Sequence, residues 1–241
     1  MTQIVNDSKA FNPQVSDLYL QVTPPATAKS GQPTNVIAYI GTGSWGEFNT
    51  PILVSSNSDL AGKIGAISSA AKTDPFDLAT AVSLSLAQSQ NNFGMQIWCI
   101  RVSDGTHAKS TVTLEDTTGT PKDGLVLTAK YAGVLGDQIK VVITAGSLAN
   151  TYNVSIIPFA GGAVEQYLNI PHGGVGEFWA NLKEAINNGS GVNRPPSELV
   201  VASADDDTAI APALGTFSMA GGDDGRDGVT ASTLLGTDSP T

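Results

Sequence analysis

One glycine pattern in the sequence has the spacing of a nucleotide-binding loop. Residues 41–46 read GTGSWG, which matches G-x-G-x-x-G, and they follow an apolar run at residues 36–40 that predicts a strand. A dinucleotide-binding loop must lead into a helix, because the helix N-terminus holds the pyrophosphate. Here Pro51 disfavours a helix after the loop, and the bulky Trp45 occupies a position where the backbone would have to approach a ligand. We therefore interpret residues 41–46 as a turn or an interface loop.

Histidine and cysteine, which most often serve nucleophilic, acid–base and metal chemistry, number only two and one in this sequence. His107 and His172 are its two histidines, and both lie in predicted loops without a neighbour that would complete a catalytic triad. Cys99 lies within an apolar run, where a small buried side chain is expected rather than a reactive thiolate. The sequence also lacks the cysteine and histidine spacing of zinc sites. We predict no catalytic residue, no metal ligand and no cofactor, and therefore no enzyme.

Acidic residues cluster at two predicted turns, 205–207 and 223–227. Neither turn has the alternating ligands and terminal glutamate of an EF-hand loop. We expect solvated acidic turns, with weak ion binding as the alternative.

Composition argues against two classes of partner. The 241 residues include 12 basic and 22 acidic side chains, which gives a net charge of −10, and the basic residues are scattered singly. Because binding to phosphates needs lysines and arginines on one face, we predict no nucleic-acid partner. The longest apolar run falls far short of the ~20 residues that cross a bilayer, so we predict no membrane insertion. The first residues lack the features of a signal peptide, which predicts synthesis in a cytoplasm.

The predicted secondary structure differs between successive regions of the chain. Residues 1–34 combine prolines with small polar residues, which predicts an extended N-terminal arm and linker. Residues 35–104 predict an α/β region with strands at 35–40, 51–54 and 95–102. The arm contains one β-prone stretch, which would need a partner surface to be stable, at Leu18, Tyr19, Leu20 and Val22.

Two helices are predicted within the α/β region. Ser58 and Asp59 offer an N-cap for the first helix. The second is predicted to begin at Asp74, with Pro75 at its first helical position.

Residues 105–222 predict a β-sandwich-like outer domain, because their hydrophobic period changes from 3.6 to 2. One helix interrupts the strands, at residues 176–187, and residues 223–241 predict a polar tail. The fold class is therefore α+β, a partial α/β sandwich followed by a β-rich sandwich-like domain with one helix. The predicted strands are 111–114, 125–130, 138–145, 152–157, 165–170, 198–202 and 216–220. Alternation predicts burial of Val126, Ile139, Val141, Ile143, Val154 and Ile156.

Several segments, taken in order, resemble the tail sheath proteins of contractile-tailed bacteriophages. The N-terminal ones are NVIAYIGTGSWG at 35–46, NTPILV at 49–54, SDL at 58–60 with Ile64 and Gly65, and GMQIWCIRV at 94–102. Residues 129–141 resemble the family element A-x-Y-x-G-x-x-G-N-x-I-x-V, with Asp137 in place of asparagine. Residues 219–225 resemble the L-x-G-G-x-D-G segment that closes the family's outer domain.

The resemblance implies a structural subunit of a contractile tail sheath. It implies a homo-oligomer of hexameric rings stacked helically around the tail tube protein, with baseplate and tail terminator proteins as further partners. It places the protein in the virion, assembled in the host cytoplasm, and implies that residues 223–241 lead to a C-terminal domain absent from this sequence. It also implies a subunit-linking role for the arm residues Leu18, Tyr19, Leu20 and Val22. The alternative is another viral or surface β-rich interaction module without catalytic activity.

Overall fold

Three β-sheets and four helices make up the part of the chain that the computed structural model describes, residues 36–67, 74–88, 96–159, 162–189, 194–205 and 209–235. The predicted α+β class is confirmed. The predicted arm, with Leu18, Tyr19, Leu20 and Val22, lies outside the described residues, and so do Asp206 and Asp207.

The first sheet has three strands, β1 (Val36–Gly41), β2 (Pro51–Val54) and β3 (Gln96–Arg101). The central strand β3 pairs in parallel with β1 and antiparallel with β2. Two helices, α1 (Asn57–Lys63) and α2 (Leu78–Gln88), pack on one face of this sheet. We call residues 36–101 the α/β part. Its core consists of Val54, Leu60, Ile64, Leu78, Val82, Ile97 and Cys99.

Both helices of the α/β part begin away from their predicted starts. Ser56 caps α1, because its hydroxyl accepts the backbone N–H of Asp59 at 3.1 Å, so the prediction of Ser58 and Asp59 as caps was wrong. Helix α2 begins at Leu78 rather than near Asp74.

The residues before α2 explain its late start. The Asp74 carboxylate accepts the N–H of Phe76 at 2.8 Å, which closes a turn ahead of the helix. Asp77 then caps α2 by accepting the N–H of Thr80 at 2.7 Å. The cap at Asp77, three residues after Asp74, therefore outweighs the preference of Pro75 for the first position of a helix.

The second region contains two antiparallel sheets, and we call residues 108–220 the β-rich part. One sheet has the strand order β10-β6-β7-β8 and the other β4-β5-β9. Helix α3 (Glu177–Asn188) packs against both sheets, and a short helix α4 (Ala231–Leu235) follows them. The strands are β4 (Thr111–Glu115), β5 (Asp123–Ala129), β6 (Lys140–Ala145), β7 (Thr151–Ile157), β8 (Glu165–Pro171), β9 (Val200–Asp205) and β10 (Gly215–Ser218).

The core of the β-rich part follows the predicted alternation at every position but one. Val126 is only half-buried, because the inward face of β5 carries Leu125, Leu127 and Ala129 instead. The register between β5 and β9 shifts at that point. The other predicted core residues are fully or almost fully buried, namely Ile139, Val141, Ile143, Val154 and Ile156. Helix α3 adds Phe178, Trp179, Leu182, Ala185 and Ile186 to this core.

Candidate functional site

Three of the segments that resemble sheath proteins meet between the α/β part and the β-rich part. They are residues 41–46, 133–137 and 219–225, and we call their meeting point the junction. A Cβ atom added at Gly133 would lie 2.2 Å from the carbonyl oxygen of Ser44, and one added at Gly222 would lie 2.3 Å from that of Gly133. Gly133 also has a φ of 135°, which side chains rarely adopt. The glycines are therefore required by backbone-to-backbone packing.

Asp137 ties two of these segments together. Its Oδ1 accepts the Ser110 hydroxyl at 2.7 Å and the backbone N–H of Gly222 at 2.8 Å. Asp137 is the residue that replaces the asparagine of the family element. Its carboxylate anchors the closing segment of the β-rich part to the turn before β6.

Arg101, at the end of β3, lies at the centre of the junction. Its side chain is fully buried, and its Nη1 donates to the carbonyl oxygens of Gly46 at 2.9 Å and Ala132 at 2.7 Å. Its Nη2 lies 3.8 Å from Oδ1 of Asp224, and the guanidinium lies 4.0 Å from the centre of the Phe48 ring. One side chain therefore connects the α/β part, the β-rich part and the segment that follows them.

Burial opposes the charge of Arg101, while Asp224 supports it. Burial lowers the pKa of Arg101 to about 10, with the Asp224 carboxylate acting to raise it and the Arg226 guanidinium to lower it. Arg101 therefore remains charged near neutral pH. Its sequence position gave no sign of this role, since a basic residue at a strand end is usually solvated.

Asp224 is buried, so the prediction of a solvated acidic turn at 223–227 was wrong at this residue. It is 5% exposed and accepts the backbone N–H of Val134 at 2.8 Å and the hydroxyl of Ser44 at 3.2 Å. Arg226 also donates to it through Nε at 3.0 Å. The carboxylate is thus held by groups from both parts of the fold.

Arg226 extends the network to the turn before α2. Its Nη2 donates to the Ser44 hydroxyl at 2.7 Å, and its Nη1 lies 3.5 Å from Oδ2 of Asp74. The Thr42 hydroxyl donates to the same Asp74 oxygen. Both arginines of the junction are therefore paired with aspartates of this chain.

Trp45 is the apolar anchor of the junction. It is 3% exposed and leaves the α/β part to join the core of the β-rich part. Its ring meets those of Tyr131 and Phe159 edge-on, at centroid distances of 5.4 and 5.1 Å. The loop at 41–46 leads into strand β2 rather than a helix, as the sequence predicted. The residue that argued against a nucleotide site is thus a packing residue.

The histidines form no catalytic triad within the described residues. The His107 ring contacts the Ser103 hydroxyl, with Nδ1 at 2.7 Å from Oγ, but the half-buried Asp104 carboxylate accepts from Thr106 and Gly228 instead of orienting the ring. His172 is half-buried against Tyr152, at a centroid distance of 6.0 Å.

Cys99 and the acidic residues add no chemistry to this site. Cys99 is fully buried, and burial raises the pKa of its thiol to about 11, so the thiol stays protonated at neutral pH. In the part of the chain that the structure describes, no three metal-ligating side chains come together.

No helix among the described residues is long and apolar enough to span a membrane.

A second buried charge lies wholly within the β-rich part. Glu165 accepts the Ser197 hydroxyl at 2.6 Å and the N–H of Glu198 at 2.9 Å, and its Oε1 lies 3.2 Å from Nη2 of Arg194. These contacts fasten β8 to the chain before β9. The cluster is a structural tie of the same kind as the junction, but it does not join the two parts.

The outer faces of the first sheet and of the four-stranded sheet differ in character. The outer face of the first sheet is apolar, because register places Ile40 and Pro51 on either side of Ile100 and places Ala38 and Leu53 on either side of Trp98. Ile40 is 48% exposed and Leu53 is 38% exposed. The outer face of the four-stranded sheet is mostly polar instead, with Lys140, Thr144, Asn153, Ser155, Gln166, Thr216 and Ser218.

These observations define an α+β protein whose main polar site is a structural junction rather than a ligand pocket. Among solved structures, the chain is similar to a sheath tail protein from Listeria innocua, with 19% sequence identity and a TM-score of 0.51 over 78% of this chain and 34% of that chain. It is also similar to a sheath tail protein from Desulfitobacterium hafniense, with 17% identity and a TM-score of 0.49 over 86% of this chain and 39% of that chain. No protein-family model matches the sequence, and no curated protein matches it.

The resemblance to tail sheath proteins seen in the sequence is confirmed at the level of the fold. The chain matches about a third of the length of the Listeria protein.

Proposed function

We propose that this protein is a structural subunit of a contractile phage tail sheath, which polymerises around the tail tube and contracts to drive the tube through the host envelope. The observation that carries the proposal is the fold shared with the Listeria sheath tail protein. The meeting of three sheath-like segments at the junction supports it, because these segments serve one structural purpose here.

The partners follow from the same proposal. Copies of the chain form hexameric rings stacked helically around the tail tube protein, and baseplate and tail terminator proteins close the two ends. The protein is then part of the virion and is assembled in the host cytoplasm. These statements rest on the resemblance to the sheath family and on the shared fold.

The arm residues Leu18, Tyr19, Leu20 and Val22 link neighbouring subunits in this proposal. Their composition is that of a strand, while the prolines and small residues around them cannot bury enough apolar area to fold alone. A strand added to the sheet edge of a neighbour would satisfy its backbone hydrogen bonds. Such a link lets subunits pivot without separating.

A structural role agrees better with the site than catalysis does. The arginines of the junction are paired with aspartates of the same chain, and the Cys99 thiol is protonated at neutral pH. The apolar outer face of the first sheet favours a role in protein contacts. That observation also agrees with the second candidate, a viral or surface interaction module without catalytic activity.

Negative-stain electron microscopy of the protein expressed from its complete reading frame tests the proposal. Tubes or stacked rings are the expected result. Monodisperse particles at every concentration, with or without added tail tube protein, would contradict the sheath role and favour the second candidate. Thermal unfolding with millimolar NAD or ATP tests for nucleotide binding, and no rise in Tm is expected.

A further inference from the structure

We propose that residues 223–228, the latch segment, lock the α/β part and the β-rich part into a single orientation, and that breaking its ion pairs releases the two parts as separate bodies. This inference rests on the contacts of the junction and does not depend on the proposed function.

The latch segment contacts both parts of the fold. Toward the β-rich part, Asp223 pairs with Ala108 through backbone hydrogen bonds, and Asp224 accepts the N–H of Val134. Toward the α/β part, the same Asp224 accepts the hydroxyl of Ser44, and Arg226 pairs with Asp74. A segment bound on both sides restrains the two parts relative to each other.

The two parts share little of their apolar cores. Their cores form two separate clusters, and Trp45 is the one described residue before position 102 that belongs to the larger cluster. Further contacts are the Phe48–His107 ring contact, the approach of the Leu135 side chain to Gly65 and the backbone contacts of glycines. The buried polar network of Arg101, Ser44, Asp224 and Arg226 is the most directional of the contacts described. The polar network therefore decides the orientation.

The chemistry of this network gives it two states. Hydrogen bonds weaken steeply once their angles are lost. A buried ion pair is also strongly unfavourable when only one partner remains, because the other charge is left without compensation. The network is therefore either fully formed or open, and a partly shifted orientation is disfavoured.

A distance measurement by electron paramagnetic resonance tests the latch. Spin labels would be attached through Leu84→Cys on α2 and Leu168→Cys on β8, which are 61% and 60% exposed. Cys99 is buried and escapes labelling. We expect a narrow distribution of distances between the two labels in the otherwise native chain and a broader distribution in R226Q. A distribution in R226Q as narrow as the native one would overturn the proposal.

Hydrogen exchange supplies a second readout and a matched control. R226Q is expected to speed amide exchange about tenfold or more at residues 41–46 and 74–78 while leaving β6 and β7 protected. The control R194Q breaks the pair with Glu165 inside the β-rich part, so it should speed exchange near residues 194–200 and leave the distance narrow. Uniform acceleration along the whole chain in R226Q would contradict a latch.

The conservative variant R226K covers the case in which R226Q does not fold. Lysine keeps the charge but cannot bond Ser44 and Asp224 together through a planar fork. R226K should therefore give a distance distribution of intermediate width. A folded R226K with native exchange and a native distance would overturn the proposal.

Discussion

Arg101 and Asp224 are 123 residues apart in the sequence, yet Nη2 of Arg101 lies 3.8 Å from Oδ1 of Asp224 in a buried site. The two charges are 0% and 5% exposed. Arg101 also donates to the carbonyl oxygen of Ala132, and Asp224 accepts the N–H of Val134, so backbone groups of the β-rich part hold both charges.

Replacing Arg101 should strongly destabilise the protein. Arg101→Met leaves the buried Asp224 carboxylate with one cation fewer, and we expect a loss of about 3–5 kcal/mol in the free energy of unfolding, measured with urea. The control is Lys63→Ala, which removes an exposed pair with Asp59 and should change stability by less than about 1 kcal/mol. Equal effects of the two substitutions would contradict the role of Arg101.

Two glycine-to-alanine substitutions should change the stability of the protein in opposite directions. Gly133→Ala introduces a Cβ 2.2 Å from the Ser44 carbonyl oxygen at a residue with positive φ, so we expect a loss of about 2 kcal/mol or more. Gly62→Ala, in helix α1, meets nothing within 4 Å and should stabilise by about 0.5–1 kcal/mol. Thermal unfolding measures both, and a stable Gly133→Ala variant would show that the junction is more open than the structure indicates.

Neighbouring residues of β2 test which face of the first sheet is covered. Val54 is fully buried, and Val54→Thr should lower stability by about 1–3 kcal/mol because the hydroxyl is buried in an apolar core. Leu53 faces the other way and is 38% exposed, so Leu53→Thr should lower it by less than about 1 kcal/mol. Chemical denaturation of both variants gives the comparison. The reverse order would place the helices on the opposite face.

The Cys99 thiol should make the protein less stable in alkaline solution. Its pKa is raised from the usual 9.0 to about 11 in the folded chain, so its contribution to stability is complete below pH 9 and is lost as the pH rises towards 11. Urea unfolding at several pH values measures this loss, and Cys99→Ala should show a smaller one. Rapid reaction of the native thiol with a disulfide reagent at pH 8 would contradict its burial.

Deleting residues 1–31 should affect assembly and leave the fold intact. We expect the Tm of the shortened chain to stay within about 2 °C of the native value, while tubes of the complete protein no longer form. Leu20→Pro is the matched control, because it keeps the length of the arm but prevents it from pairing as a strand. Unfolding of the shortened chain, or contractile tubes formed without the arm, would show that the arm is not the link between subunits.

Local pattern predicted most of the strands of this protein, but not the starts of its helices. The alternation of apolar residues predicted the strands of the β-rich part and the burial of Ile139 and Val154, because residues two apart share one face of a strand. The prediction was wrong at Val126 because the alternation in β5 has the opposite phase, with Leu125, Leu127 and Ala129 facing the core. The start of α2 was also misjudged, because Asp74 closes a turn through the N–H of Phe76 and Asp77 caps the helix three residues later.

The junction could not be predicted from the sequence. Its segments were recognised one by one, but residues 41–46 and 219–225 are nearly 180 positions apart, and nothing in either segment states that they touch. The burial of Arg101 and Asp224 arises only when two sheets and a connecting segment exclude water from the same place. A buried charge is stable only beside a compensating partner, and the tertiary fold determines which residue lies close enough to be that partner.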